Sequence, residues 1–188
     1  AFTRSPPLTP VSRRTDAVMA ALDDHYLEIV RDHSRSPRNK GELESPPASK
    51  TEGYNPLCGD EIVLYLQVDG DTVTDVKIGG QGCSISQSSA SMMSAAIKGK
   101  SVADVRAIVR SFKALMSIHE KGLGGDGEEV DMEPDPNVKL GDLEALQGVV
   151  KFPVRIKCAT LSWHTLTQAL AEPGVSARLR AFLALPPH

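Results

Sequence analysis

Residues 61–79 constrain the fold most. Glu61–Val68 and Thr72–Gly79 each alternate apolar and polar side chains, and Asp69-Gly70-Asp71 separates them, which reads as a β-hairpin with one buried face. Slipping the pairing by one residue would turn the apolar set of one strand toward solvent. Leu64 should therefore face Val76 or Ile78, because the slipped register sets Leu64 against Lys77 and Leu66 against Asp75. Continued past the open end of the hairpin, either acceptable register places Cys58 opposite Gly82 or Ser84. Cys58 and Cys83 are thus expected as near neighbours, and Asp60 shares a face with Cys58 if the strand begins there.

The rest of the chain reads as helices and loops around that hairpin. Residues 1–15, with Pro6, Pro7 and Pro10, bury too little apolar surface to offset ordering and are expected to be a disordered extension. Thr15 or Asp16 can cap a helix running to about Asp32, with Val18, Leu22, Tyr26, Ile29 and Val30 on one face. Ser34–Lys50 reads as a loop, with room for a short strand at Ser49–Asn55. Ser86–Ile97 is a small-residue helix ended by Gly99, and Ser101 caps another with Val102, Val105, Ile108, Val109 and Phe112 inward. Residues 118–140 form an acidic, Gly-rich insert expected to be a mobile loop, followed by a short helix near Asp142–Gln147. Pro153 can open a long helix that carries Cys158 and is broken by Pro173-Gly174, after which Val175–Leu185 reads as a final helix. The order gives an α+β fold with a small antiparallel sheet of about three strands packed against helices. One domain is expected over residues 16–171, with 172–188 a C-terminal tail or helix.

Charge and cysteine usage exclude several classes. The net charge is −3 and no basic stripe with interleaved aromatics occurs, so nucleic acid is not an expected partner. No run of about 18 apolar residues is present, so no membrane span is expected, and the Arg-bearing first residues lack the apolar stretch of a secretory signal. Three cysteines cannot close into a pure disulfide framework, which points to the reducing cytoplasm.

The cysteines are where chemistry concentrates. Cys58 lies in Asn55-Pro56-Leu57-Cys58-Gly59-Asp60, Cys83 in Gly80-Gln81-Gly82-Cys83-Ser84-Ile85-Ser86, and Cys158 in Arg155-Ile156-Lys157-Cys158-Ala159-Thr160. Each sits beside an expected element boundary. With Asp60 they offer three soft ligands and one hard one, a set that suits zinc, copper(I) or iron–sulfur species. No CxxC pair is present, so the spacing leaves other readings open: Cys158 as a small core hydrophobe, a Cys58–Cys83 disulfide, Asp60 as a turn or cap residue. His25, His33 and His164 show no ligand pattern and read as ordinary side chains. Gly79-Gly80-Gln81-Gly82 has no Lys-Ser/Thr pair after it and does not read as a phosphate loop.

These three cysteine segments, with Ser89-Ala90-Ser91-Met92-Met93, Leu161-Ser162-Trp163 and the loop His33-Ser34-Arg35-Ser36-Pro37-Arg38-Asn39, resemble the SufU family, a branch of the IscU/NifU-amino-terminal fold of iron–sulfur cluster assembly. The resemblance spans roughly residues 16–171. It implies a zinc site of Cys58, Asp60, Cys83 and Cys158, with Cys58 taking sulfur from a cysteine desulfurase of the SufS type that docks and frees it from the metal. Sulfur would then pass to the downstream iron–sulfur assembly machinery. Arg155, about one helical turn before Cys158, would steady the freed thiolate or the persulfide. In this reading the chain is a zinc-dependent sulfurtransferase. IscU-type scaffolds carry a histidine immediately before the third cysteine, and Lys157 stands there. Two other readings remain: a scaffold on which a [2Fe–2S] cluster is built, with that cluster or iron as cofactor, and a non-catalytic zinc-stabilised binding module.

Overall fold

The computed structural model describes residues 24–117, 135–172 and 175. The expected N-terminal extension, the expected start of the first helix with its Thr15 or Asp16 cap, most of the insert and the helix from 175 to 185 beyond Val175 lie outside the described residues. Three antiparallel strands, β1 (Ser49–Asn55), β2 (Asp60–Asp69) and β3 (Thr72–Gln81), form one sheet in the order β1-β2-β3. Residues 24–35 form helix α1, followed in order by α2 (Ser84–Ile97), α3 (Val102–Ser117), a 3-10 helix (Gly141–Lys151) and α4 (Pro153–Ala171). This is the α+β arrangement expected.

The hairpin takes one of the two registers the pattern allowed. Leu64 pairs with Ile78 and Leu66 with Val76, and the pairing slips by one between Gln67 and Val68, a bulge at the turn end. Ile62, Leu64, Leu66, Val76 and Ile78 are all buried beneath α2 and α4. α1 continues three residues past Asp32, and its Ile29 and Val30 rest on the core as their spacing required. Ser101 caps α3 through a 3.1 Å bond from Asp104 N–H to its Oγ. Pro153 occupies the first turn of α4, where its missing N–H costs no helical bond.

α2 and α4 pack closely because α2 is made of small side chains, with Ser86, Ser88, Ser89, Ala90 and Ser91 all buried. Their hydroxyls need partners there. Ser89 Oγ donates to the carbonyl of Ala159 at 2.6 Å and accepts from Trp163 Nε1 at 3.1 Å. Trp163 is fully buried and stacks on Phe112 of α3, with ring centroids 4.2 Å apart. β1 crosses α4 at Gly53, where any Cβ would stand 2.1 Å from Thr165 Oγ1. These contacts fix the start of α2 against the start of α4, and Cys83 and Cys158 sit at those two starts.

His33 departs from its expected ordinary role. It is buried, 3 % exposed, with Nδ1 2.8 Å from Ser91 Oγ and Nε2 3.2 Å from Asp142 Oδ2. It ties α1 to α2 and to the 3-10 helix, through partners 58 and 109 residues away that no local pattern announces. No helix among the described residues is long and apolar enough to cross a membrane.

Candidate metal centre

Cys58 lies in the turn between β1 and β2, and Asn55 builds that turn. The Asn55 side-chain oxygen accepts from Leu57 N–H at 3.2 Å, and its carbonyl accepts from Cys58 and Gly59 at 3.3 and 2.8 Å. Gly59 takes φ +69, a conformation that costs glycine little. The strand therefore starts at Asp60 rather than at Cys58, and the turn sets the direction of the Cys58 thiol.

Asp60 is 1 % exposed. Its Oδ1 accepts the backbone N–H of Cys83 at 2.9 Å, and its Oδ2 lies 3.9 Å from Cys83 Sγ. Gly82 makes this approach possible, since a Cβ there would come within 2.7 Å of Asp60 Oδ1. Cys83 is the N-cap of α2, and its sulfur accepts from Ser86 N–H at 3.5 Å. Cys158 lies in the second turn of α4, buried, with Sγ 3.1 Å from Cys58 Sγ.

The ligand atoms of Cys58, Asp60 and Cys158 lie within 4.8 Å of one another. Cys83 stands just outside that trio, with its sulfur 3.9 Å from Asp60 Oδ2. The structure sets Cys58 Sγ directly against Cys158 Sγ, a pairing the strand argument did not address. All three thiols are free, so the Cys58–Cys83 disulfide considered from the sequence is not formed. Burial pushes the Cys158 thiol well above its usual range, helped by the hydrogen bonds it donates to Cys58 and Asp60. Arg155 is an exposed neighbour; hydrogen bonding to Cys158, then the charge of Cys83, raises its guanidinium further.

These residues fit a tetrahedral zinc ion. Zinc–sulfur bonds of about 2.3 Å place two ligand sulfurs about 3.8 Å apart, so Cys58 and Cys158 need to separate by only some tenths of an ångström. A buried carboxylate with one oxygen satisfied by an N–H and the other turned toward sulfur is costly without a cation. Lys157 is exposed and adds no nitrogen ligand.

Comparison with known proteins agrees with this arrangement. Residues 25–159 match the NifU-like N terminal domain family. The chain is 45 % identical to the zinc-dependent sulfurtransferase SufU of Bacillus subtilis, over 81 % of this chain and 94 % of that one. It is 36 % identical to the iron–sulfur cluster assembly scaffold protein IscU of Streptococcus pyogenes, over 86 % of this chain and 92 % of the other. The crystal structure of FiSufU from Fervidobacterium islandicum AW-1 superposes with a TM-score of 0.64 at 35 % identity, covering 76 % of this chain and 94 % of that one. A three-stranded α+β fold with cysteines at one strand turn and two helix starts defines the class, and the chain belongs to the NifU-like N-terminal domain family.

Proposed function

We propose that this chain is a zinc-holding sulfur acceptor of iron–sulfur cluster assembly, taking persulfide sulfur from a cysteine desulfurase of the SufS type onto Cys58. The observation that carries the reading is one half-exposed thiol set directly against a buried thiol and a buried carboxylate. Cys58, Asp60, Cys83 and Cys158 would hold the zinc. Zinc supplies charge neutralisation, keeping buried sulfurs as thiolates at neutral pH.

The chain's own part begins with access. Leu57, Tyr54, Phe152 and Val154 are each more than 60 % exposed and belong to the two segments that carry Cys58 and Cys158. They offer an apolar rim over which a partner protein can close. The Cys58 thiolate then attacks the outer sulfur of the partner's cysteine persulfide. A new S–S bond forms on Cys58, and the partner's cysteine leaves as its thiolate. Arg155, beside Cys158, offers a cation to the resulting anion. Free thiols fit a cytoplasmic setting. Similarity to the SufU relative supports sulfur transfer, whereas similarity to the IscU relative supports the [2Fe–2S] scaffold reading. The exposed lysine at position 157 favours the former, since it offers no imidazole to a cluster.

The test is desulfurase turnover on L-cysteine with and without this protein, run with metal analysis and mass spectrometry. Wild type should raise turnover, carry about one zinc per chain and gain one sulfur on Cys58. Cys58→Ala should abolish the stimulation. Unchanged stimulation by Cys58→Ala would leave only a binding role, and a brown protein with visible absorption would select the scaffold.

A further inference from the structure

We infer that Asn55 is a positioning residue of the metal centre, whose side-chain N–H donates to the Cys158 sulfur once that sulfur is a metal-held thiolate. The inference rests on the zinc-holding reading and adds to it a residue that is not a ligand. Asn55 is 6 % exposed, and its Nδ2 is buried with no hydrogen-bond partner among the described residues. The amide cannot be turned over, because its oxygen accepts from Leu57 N–H at 3.2 Å and the reverse orientation would set two donors face to face. A buried donor left unpaired is rare and calls for an acceptor.

The packing of β1 on α4 shows which acceptor it faces. Thr51, Gly53 and Asn55 share the β1 face that lies against α4. Thr51 Oγ1 donates to Glu172 Oε1 at 2.6 Å, and a Cβ on Gly53 would meet Thr165 Oγ1 and Leu161 Cδ1. The two elements therefore run antiparallel, and moving up β1 moves toward the start of α4. The next step on the strand face, about 6.7 Å, carries Asn55 just over one helical turn from Leu161 and Thr165. Cys158 is the buried residue there, on the stripe that holds Leu161, Thr165 and Glu172. Asp60 pairs with Asn55 across the strands, but its oxygens are engaged elsewhere, Oδ1 by Cys83 N–H and Oδ2 toward Cys83 Sγ.

As a thiol, Cys158 donates to Cys58, and its sulfur is a weak acceptor. As a metal-held thiolate it has no proton to give and becomes a charged acceptor, to which the Asn55 N–H can bond. That bond favours the charged form of one sulfur and not of the other. It also ties α4 to the turn that Asn55 builds for Cys58. Cys158 is then the anchored sulfur, and Cys58 the one left to react.

The experiment loads the full chain, labelled with nitrogen-15, with cadmium-113 in place of zinc and reads it by NMR. Cadmium takes the same soft thiolate ligands, and scalar coupling crosses an N–H···S bond to it. An Asn55 side-chain amide proton should couple to cadmium and show Overhauser contacts to the Cys158 Hβ protons. Coupling of cadmium to cysteine Hβ protons with none to Asn55 overturns the inference, and so do contacts to Cys58 or Asp60 Hβ in place of Cys158. Asn55→Ser keeps an oxygen that can accept from Leu57 N–H but brings no donor as far as α4. In chelator competition it should bind zinc about 10–100-fold more weakly than wild type, and equal affinity also overturns the inference. A chain whose cysteines take up neither zinc nor cadmium overturns the zinc-holding reading, and the inference with it.

Discussion

Gly82→Ala tests whether Asp60 is held in place for the metal. A Cβ at position 82 would stand 2.7 Å from Asp60 Oδ1, 3.1 Å from its Cγ and 3.2 Å from its Cβ. Ordinary contact begins near 3.4 Å, so the carboxylate must retreat by roughly 0.7 Å. The Asp60 side chain is short and fully enclosed, and the retreat comes at the expense of its 2.9 Å bond from Cys83 N–H. A hydrogen bond to a charged acceptor contributes about 1.5–3 kcal/mol, and losing an outer contact of this kind lowers metal affinity by about 10–100-fold. Those two ranges agree, since about 1.4 kcal/mol is tenfold. The assay is zinc competition against a chromogenic chelator, with Gly79→Ala as control. The control places its Cβ at an ordinary 3.7 Å from Val63, so it should bind zinc as wild type does. Wild-type zinc affinity in Gly82→Ala would refute the claim that Asp60 is positioned as a ligand by its contact with Cys83.

Two further outcomes follow from packing and charge. Ser89→Ala leaves the Trp163 indole N–H unpaired in the core and removes a second bond to the Ala159 carbonyl, and should cost about 1–3 kcal/mol, read as a fall in urea midpoint; a midpoint equal to wild type would refute it. The hydrogen bond from Lys98, 2.8 Å away, holds the Asp75 carboxyl below the usual carboxylate range. Its stabilisation is present above the unfolded carboxyl pKa of about 3.9 and lost as pH falls through the lower folded value. The pair is partly exposed, so Lys98→Ala should cost at most about 1 kcal/mol at neutral pH, and the gap to wild type should close in acid. A gap that persists unchanged to the acid limit would show that the loss comes from something other than the ion pair.

The hairpin, its register to within one of two choices, and the starts of α3 and α4 were legible in the sequence because each is a local rule, whereas the Cys83 cap that starts α2 two residues early was not. Period-two alternation fixed the faces of β2 and β3, Ser101 and Pro153 marked helix starts, and glycines marked ends. The metal centre was legible as a set of residues but not as a shape. Extending the strand to Cys58 paired it with Cys83, yet Asn55 gathers three backbone N–H groups and turns the chain before Asp60. Once the strand ends, the pleat no longer dictates where a side chain points. Which sulfur then lies beside Cys58 depends on how α4 docks, and that depends on contacts of Ser89, Trp163 and Gly53 that no local spacing announces.

The same dependence explains why the small-residue character of α2 bears on chemistry as well as packing. Large side chains at Ser86, Ser89 or Ala90 would lift α2 from α4, and with it the Cys83 cap from the helix that carries Cys158. Asp60 would lose the Cys83 N–H without any change to a ligand. The site is therefore a property of one interhelical contact. Cys58 is the exception, because its position is set within the turn that Asn55 organises. Three of the candidate donors are thus placed by packing and Cys58 by a turn, which leaves its half-buried thiol 3.1 Å from Cys158 Sγ.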